Sequence, residues 1–126
     1  MHDGSERSAS SEPMEVRSKI WIERDGAVVL SDWRVELLEA IDAHGSLSHA
    51  AEALNVPYRT AWERIKATEA ELGMRLVHTE SGGADGGGSR LTPEAQDVCR
   101  RFRRVASGIH EEVSRRFAAE FGASNG

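Results

Sequence analysis

Disulfide chemistry, membrane spans and catalytic constellations are all missing from this chain, and each absence narrows what it can be. Its one cysteine, Cys99, cannot close an internal bridge; it falls on an apolar helical stripe and reads as a buried, reduced packing residue. No apolar run approaches the ~20 residues that a membrane span requires. The first residues, Met-His-Asp-Gly-Ser-Glu, lack the basic-then-apolar pattern of a secretion signal, so the expected location is cytoplasmic. No nucleophile–base pair, acid–base pair or metal-ligand cluster stands at workable spacing, so no enzyme, cofactor or metal site is expected. His2, for instance, has no second ligand near it.

Positive charge is also short. The 126 residues carry 16 Lys and Arg against 21 Asp and Glu, a net charge of −5 that argues superficially against nucleic acid. The distribution softens that objection. Residues 1–55 hold 5 cations and 11 anions, whereas residues 56–104 hold 9 and 7. A local positive face is enough for DNA, and a weakly basic one implies salt-sensitive, modest non-specific affinity.

What is present is organised around Gly45 to Leu72. This stretch reads as a short helix, a tight turn and a longer helix, the geometry that lays a helix in the DNA major groove. Ser46 or Ser48 can cap the first helix, whose apolar face is Leu47, Ala50, Ala51 and Leu54. Asn55 suits a helix end, Val56 can pack beneath the turn, and Pro57 suits the first position of a new helix. In the second helix Ala61, Ile65, Thr68 and Leu72 follow core spacing, while Tyr58, Arg59, Trp62, Glu63 and Lys66 fall on the other side. By itself that outer face fits either a reading helix or an ordinary solvated one.

Gly45-Ser46-Leu47-Ser48, Ala50-Ala51 and Leu54 resemble the helix-turn-helix shared by LysR-type and ModE-type bacterial regulators. Pro57 to Trp62 and Ser81 to Thr92 resemble more specifically the N-terminal DNA-binding domain of the molybdate-responsive ModE regulators. The resemblance runs from about Ile20 to Val105. Such regulators carry molybdate-binding domains after this point, so the expectation for residues 1–126 is a ModE-like DNA-binding domain without them, with effector sensing left to a separate partner.

Around this motif the chain is read in order. Residues 1–15 are polar and aperiodic and are expected to be a disordered tail. Lys-Ile-Trp-Ile-Glu and Ala-Val-Val-Leu flank Asp25-Gly26, a pair suited to the positive φ angles of a hairpin turn. A helix then runs from Ser31 or Asp32 to about Ala43, ended by Gly45, with Leu37, Leu38 and Ile41 inward and an acidic, solvated outer face of Glu36, Glu39 and Asp42.

After the second helix, Leu76 to Thr79 is strand-like, five glycines fall within residues 82–88, and Arg90-Leu91-Thr92 follows. Strand, glycine tip and strand is the plan of a wing, with Arg90 and also Arg75 supplying charge to a phosphate backbone. The glycines are not a P-loop, because no Gly-Lys-Ser/Thr follows them. Thr92-Pro93-Glu94 starts a long helix with an apolar stripe through Phe102, Val105, Ile109, Val113 and Phe117. At ~1.5 Å per residue this helix is about 43 Å long, more than so small a domain can cover. A stripe that outruns its core points to a homodimer. The run Arg100, Arg101, Arg103, Arg104 reads as a solvated face.

The expected fold is therefore mainly α with a small β wing and an N-terminal hairpin: a winged helix-turn-helix over residues 16–92, a dimerisation helix over 93–122 and a short tail over 123–126. The expected partners are double-stranded DNA and a second copy of the chain, with no membrane. Ser46, Ser48, Tyr58, Arg59, Thr60, Trp62, Glu63, Lys66 and Arg90 are the candidate DNA contacts, and Phe102, Val105, Ile109, Val113 and Phe117 the candidate dimer contacts. The alternative function is a protein-interaction module of the same fold that modulates another regulator.

Overall fold

The computed structural model describes residues 11–80 and 88–122. In chain order these form β1 (Trp21–Arg24), β2 (Ala27–Ser31), α1 (Asp32–His44), α2 (Leu47–Ala53), α3 (Tyr58–Leu72), β3 (Val77–Thr79), β4 (Ser89–Leu91) and α4 (Pro93–Phe121). They fall into two compact units. Lys19–Ser107 is one; residues 11–18 and 108–122 belong to the other.

Local chemistry sets most boundaries in the larger unit. Asp25 and Gly26 have φ of 52° and 81°, the paired left-handed geometry of a tight hairpin turn joining β1 to β2. The Ser31 hydroxyl accepts the Arg34 N–H at the start of α1, and Gly45, with φ 78°, ends it by donating its N–H to the Ile41 carbonyl. The Ser46 hydroxyl caps α2 by accepting the His49 N–H at 3.0 Å. Thr92 caps α4, accepting from the Ala95 N–H at 3.1 Å while its hydroxyl donates to the Arg75 carbonyl at 2.8 Å.

One core joins these elements. Val29 and Leu30 of β2, Val35, Leu37, Leu38 and Ile41 of α1, Ala50 and Ala51 of α2, and Ala61 and Ile65 of α3 are buried together. Leu76 beside β3, Leu91 of β4 and Ala95, Cys99, Phe102 and Ala106 of α4 complete it. Small residues on α2 and α3 let the two helices cross closely. A charged residue is buried with them: Arg34 donates to the Val29 carbonyl at 3.3 Å and to Thr68 Oγ1 at 3.2 Å. Thr68 in turn donates to the Arg64 carbonyl at 2.8 Å, so this buried cation ties β2, α1 and α3 together.

Two expectations are corrected here. Phe102, read as a dimer contact, is 1 % exposed and belongs to the chain's own core. It shares a face with Ala95, Cys99 and Ala106, whereas Val105 is turned ~100° from Ala106 and is exposed. The acidic face of α1 is not simply solvated. Glu39 accepts two hydrogen bonds from Arg103 of α4, and Asp42 Oδ1 accepts the Leu91 N–H at 3.5 Å. Only Glu36 of that trio is exposed and without a hydrogen bond among the described residues.

In the smaller unit the second half of α4 carries Ile109 exposed, Val113 and Phe117 half-buried, and a Phe117–Phe121 ring stack with centroids 5.1 Å apart. The Ser18 hydroxyl meets His110 Nδ1. Glu112 is held by Arg116 and Arg115, which keeps its carboxyl below the usual range.

Candidate nucleic-acid interface

The helix-turn-helix is built by backbone closure at its turn. The N–H groups of Leu54, Asn55 and Val56 donate to the carbonyls of Ala50, Glu52 and Ala51, and Asn55 takes the left-handed φ of 59° that reverses the chain. Pro57 then enters α3 with no side-chain cap, unlike Ser31, Ser46 and Thr92 at the other helices. The first N–H groups of α3 are thus left without a side-chain acceptor at the end of the helix that is richest in exposed functional side chains.

The two faces of α3 separate cleanly. Ala61, Ile65 and Thr68 are buried, while Tyr58 and Trp62 stand 54 % and 43 % exposed. Neither the Tyr58 hydroxyl nor the Trp62 indole N–H has a hydrogen-bond partner among the described residues. Lys66 Nζ sits 5.7 Å from the Trp62 ring centroid and 3.5 Å from Glu69 Oε1. Arg59 and Glu63, one helical turn apart, approach to 3.5 Å with both side chains exposed. Such a pair is weak, so Arg59 can exchange it for another anion at little cost.

The wing is tied to this helix and to the α1–α2 turn. Glu69 Oε2 accepts the Leu76 and Val77 N–H groups at 2.8 and 3.2 Å, which fixes the start of β3 against α3. β3 and β4 pair antiparallel, with His78 opposite Arg90. At its other end the Ser89 N–H donates to the Gly45 carbonyl at 2.9 Å, and a Cβ on Gly88 would lie 2.8 Å from that same oxygen. Arg90 is exposed and paired with Glu80 at 3.4 Å. The remainder of the glycine tip, residues 81–87, lies outside the described residues.

Residues 34–96, half of the chain, match the family of bacterial regulatory helix-turn-helix proteins of the lysR type. The chain belongs to the LysR family of regulatory helix-turn-helix proteins. Among its relatives, the molybdenum transport protein ModE of Azotobacter vinelandii is 33% identical over 86 residues, 68% of this chain and 32% of that one. The molybdenum-pterin-binding protein MopB of Rhodobacter capsulatus is 33% identical over 93 residues, 74% of this chain and 34% of that one. This chain therefore spans about a third of the length of these relatives. The CbnR DNA-binding domain in a complex with DNA superposes with a TM-score of 0.58 at 23% identity, over 70% of this chain and 95% of that one. ArgP from Mycobacterium tuberculosis does so with a TM-score of 0.51 at 27% identity, over 65% of this chain and 29% of that one. These likenesses establish a shared winged-helix fold.

Within this LysR-type frame the candidate residues take different positions. Tyr58, Arg59, Trp62, Glu63 and Lys66 share the exposed side of α3, and Thr60 is half-buried beside them. Ser46 has its hydroxyl committed to the α2 cap, while Ser48 is exposed. Arg90 stands on the wing. Of the remaining dimer candidates, Val105 and Ile109 are 52 % and 48 % exposed, and Val113 and Phe117 are half-buried in the single chain. Glu69 and Gly88 were not singled out from sequence, since each acts on a backbone group that the tertiary fold brings against it. No group of three or more His, Cys, Asp or Glu among the described residues is arranged to hold a metal ion. No described helix is long and apolar enough to cross a membrane.

Proposed function

We propose that this chain binds duplex DNA as a homodimer and regulates transcription in the cytoplasm, laying α3 in the major groove and the wing against the adjoining backbone. The observation that carries this reading is the two-sided character of α3. Its inner face is anchored in the core, while Tyr58, Arg59 and Trp62 project from its N-terminal half and Lys66 from just past its middle. The uncapped start of the same helix offers N–H donors and a positive dipole end to a phosphate. The apolar residues Val105 and Ile109, exposed on α4, offer a surface that a second copy would cover.

The relatives support the same reading. One is described as a DNA-binding transcriptional dual regulator, ModE of Escherichia coli K12, 32% identical over 58% of this chain and 28% of that one. Regulators of this kind do not favour a module that binds only protein, nor an enzyme. The experiment is a gel-shift on genomic fragments from the source organism across a salt series. Retarded, competable complexes on a subset of fragments are expected, weakening steeply as salt rises. Equal, feeble retention of all fragments would reject the reading.

A further inference from the structure

The aromatic pair on α3 borders Leu47, Ile65 and Val77 on one side and stands open on the other. Tyr58 and Trp62 lie four residues apart, so they stand one above the other on the outer helix surface. Each leaves about half its surface in water. Together with the Arg59 stem they line a shallow, mostly apolar cavity of about 350 Å³. Lys66 covers part of the Trp62 ring from the C-terminal side, and Arg59 and Glu63 are engaged with each other alongside. The surface left open is therefore mostly aromatic carbon, carrying the Tyr58 hydroxyl and the Trp62 indole N–H and flanked by charge.

Resting on the DNA-binding reading, we infer that Tyr58 and Trp62 form an apolar shelf that reads thymine C5-methyl groups in the major groove. The argument is one of chemical matching. The edges of the four bases present hydrogen-bond donors and acceptors there, and the thymine methyl is the one apolar group among them. An aromatic surface on a groove-facing helix gains from covering that methyl and loses from covering a bare acceptor or amino group, whose bound water it would displace without replacement. Arg59, on the adjacent stripe, suits guanine or phosphate instead. Division of labour between the two stripes makes the shelf a determinant of sequence preference rather than of overall affinity.

The test uses the whole chain and duplexes enriched from a random pool by binding to it. Each thymidine in an enriched duplex is replaced singly by deoxyuridine, which removes the methyl and leaves base pairing intact. At one or more positions the substitution should weaken binding about fourfold, the loss expected for one buried carbon. The Tyr58→Ala, Trp62→Ala double variant should bind thymidine and deoxyuridine duplexes equally, whereas Trp62→Phe should retain the preference. If the enriched duplex binds more tightly than random DNA yet no deoxyuridine substitution matters, the shelf does not read methyls, and the DNA-binding reading stands. If a methyl effect persists undiminished in the double variant, another residue reads it and the inference is overturned. Failure to enrich any duplex would overturn both the inference and the reading on which it rests.

Discussion

Arg103 on α4 clasps Glu39 on α1 through two parallel hydrogen bonds, Nη2 to Oε1 at 2.7 Å and Nε to Oε2 at 3.1 Å. Asp32 adds a longer contact at 3.6 Å. The hydrogen bond to Glu39 is the main reason the Arg103 pKa is raised. This clasp joins the long helix to the first helix of the winged fold. Both side chains remain about two-fifths exposed, so water and salt screen much of their attraction. Arg103→Ala and Glu39→Ala should each lower stability by about 1 kcal/mol, and the double variant by clearly less than the sum. Urea denaturation of the four proteins gives the cycle; strict additivity would mean that the clasp contributes nothing.

Cys99 lies beneath that clasp, 4 % exposed. Burial, with help from the Glu39 charge, pushes its thiol from 9.0 up to about 11. The native protein should therefore react slowly with a thiol reagent at pH 8 and fully once unfolded. The folded state keeps a proton that the unfolded state releases, so stability is full below about pH 9 and declines as pH rises toward 11. Denaturation midpoints measured over that interval should fall more steeply for the wild type than for Cys99→Ala. Rapid labelling of native protein would show that the thiol is not buried as described.

Gly88 permits the wing to approach the α1–α2 turn, because any side chain there would press on the Gly45 carbonyl oxygen. Gly88→Ala should cost about 1–3 kcal/mol or displace the wing base. Amide exchange separates these outcomes from a neutral result: the Ser89 N–H, which donates to that carbonyl, should lose protection. Unchanged exchange and unchanged stability would mean that the close approach is not maintained in solution.

Ile109 is the cleanest position at which to probe self-association. It is 48 % exposed in the single chain, so a carboxylate there carries little folding cost by itself, whereas Val113 and Phe117 are half-buried already. Ile109→Glu should shift sedimentation toward the monomer while helical circular dichroism is retained. A wild-type protein that is monomeric at micromolar concentration would reject the dimer.

Arg59 and Lys66 should separate specificity from affinity. Arg59 is near the start of α3, held only by an exposed pair with Glu63, and its guanidinium can make two bonds to guanine worth about 1–3 kcal/mol of discrimination. Lys66 lies further along the helix beside Glu69 and suits a phosphate. Arg59→Ala should reduce the ratio of specific to random DNA affinity. Lys66→Ala should weaken both and lower the salt slope by about one. Binding isotherms at several salt concentrations measure both; an unchanged ratio for Arg59→Ala would make it a phosphate clamp or a bystander.

Sequence by itself determined the elements whose causes lie within a few residues. Asp25-Gly26 specified the hairpin turn, Ser31 and Gly45 the ends of α1, Asn55-Val56-Pro57 the turn of the helix-turn-helix, and Thr92-Pro93 the start of α4. Capping and positive φ are local requirements, so they are legible in the residues that meet them. The inner and outer faces of α3 were legible for the same reason, since helical period alone places Ala61, Ile65 and Thr68 opposite Arg59 and Glu63, with Tyr58 and Trp62 on the flank between them. Tertiary structure decided what depends on partners far along the chain. The period that marked Phe102 as apolar could not say whether its own chain or a second copy would cover it; its burial shows that α4 uses that face for its own core. Glu39 and Arg103, 64 residues apart, read as two solvated charges until packing set them side by side. Gly88 acquired its role in the same way, because a missing Cβ matters only once another segment's backbone has been brought against it, and Glu69 became an acceptor once the turn after α3 carried Leu76 and Val77 back to it.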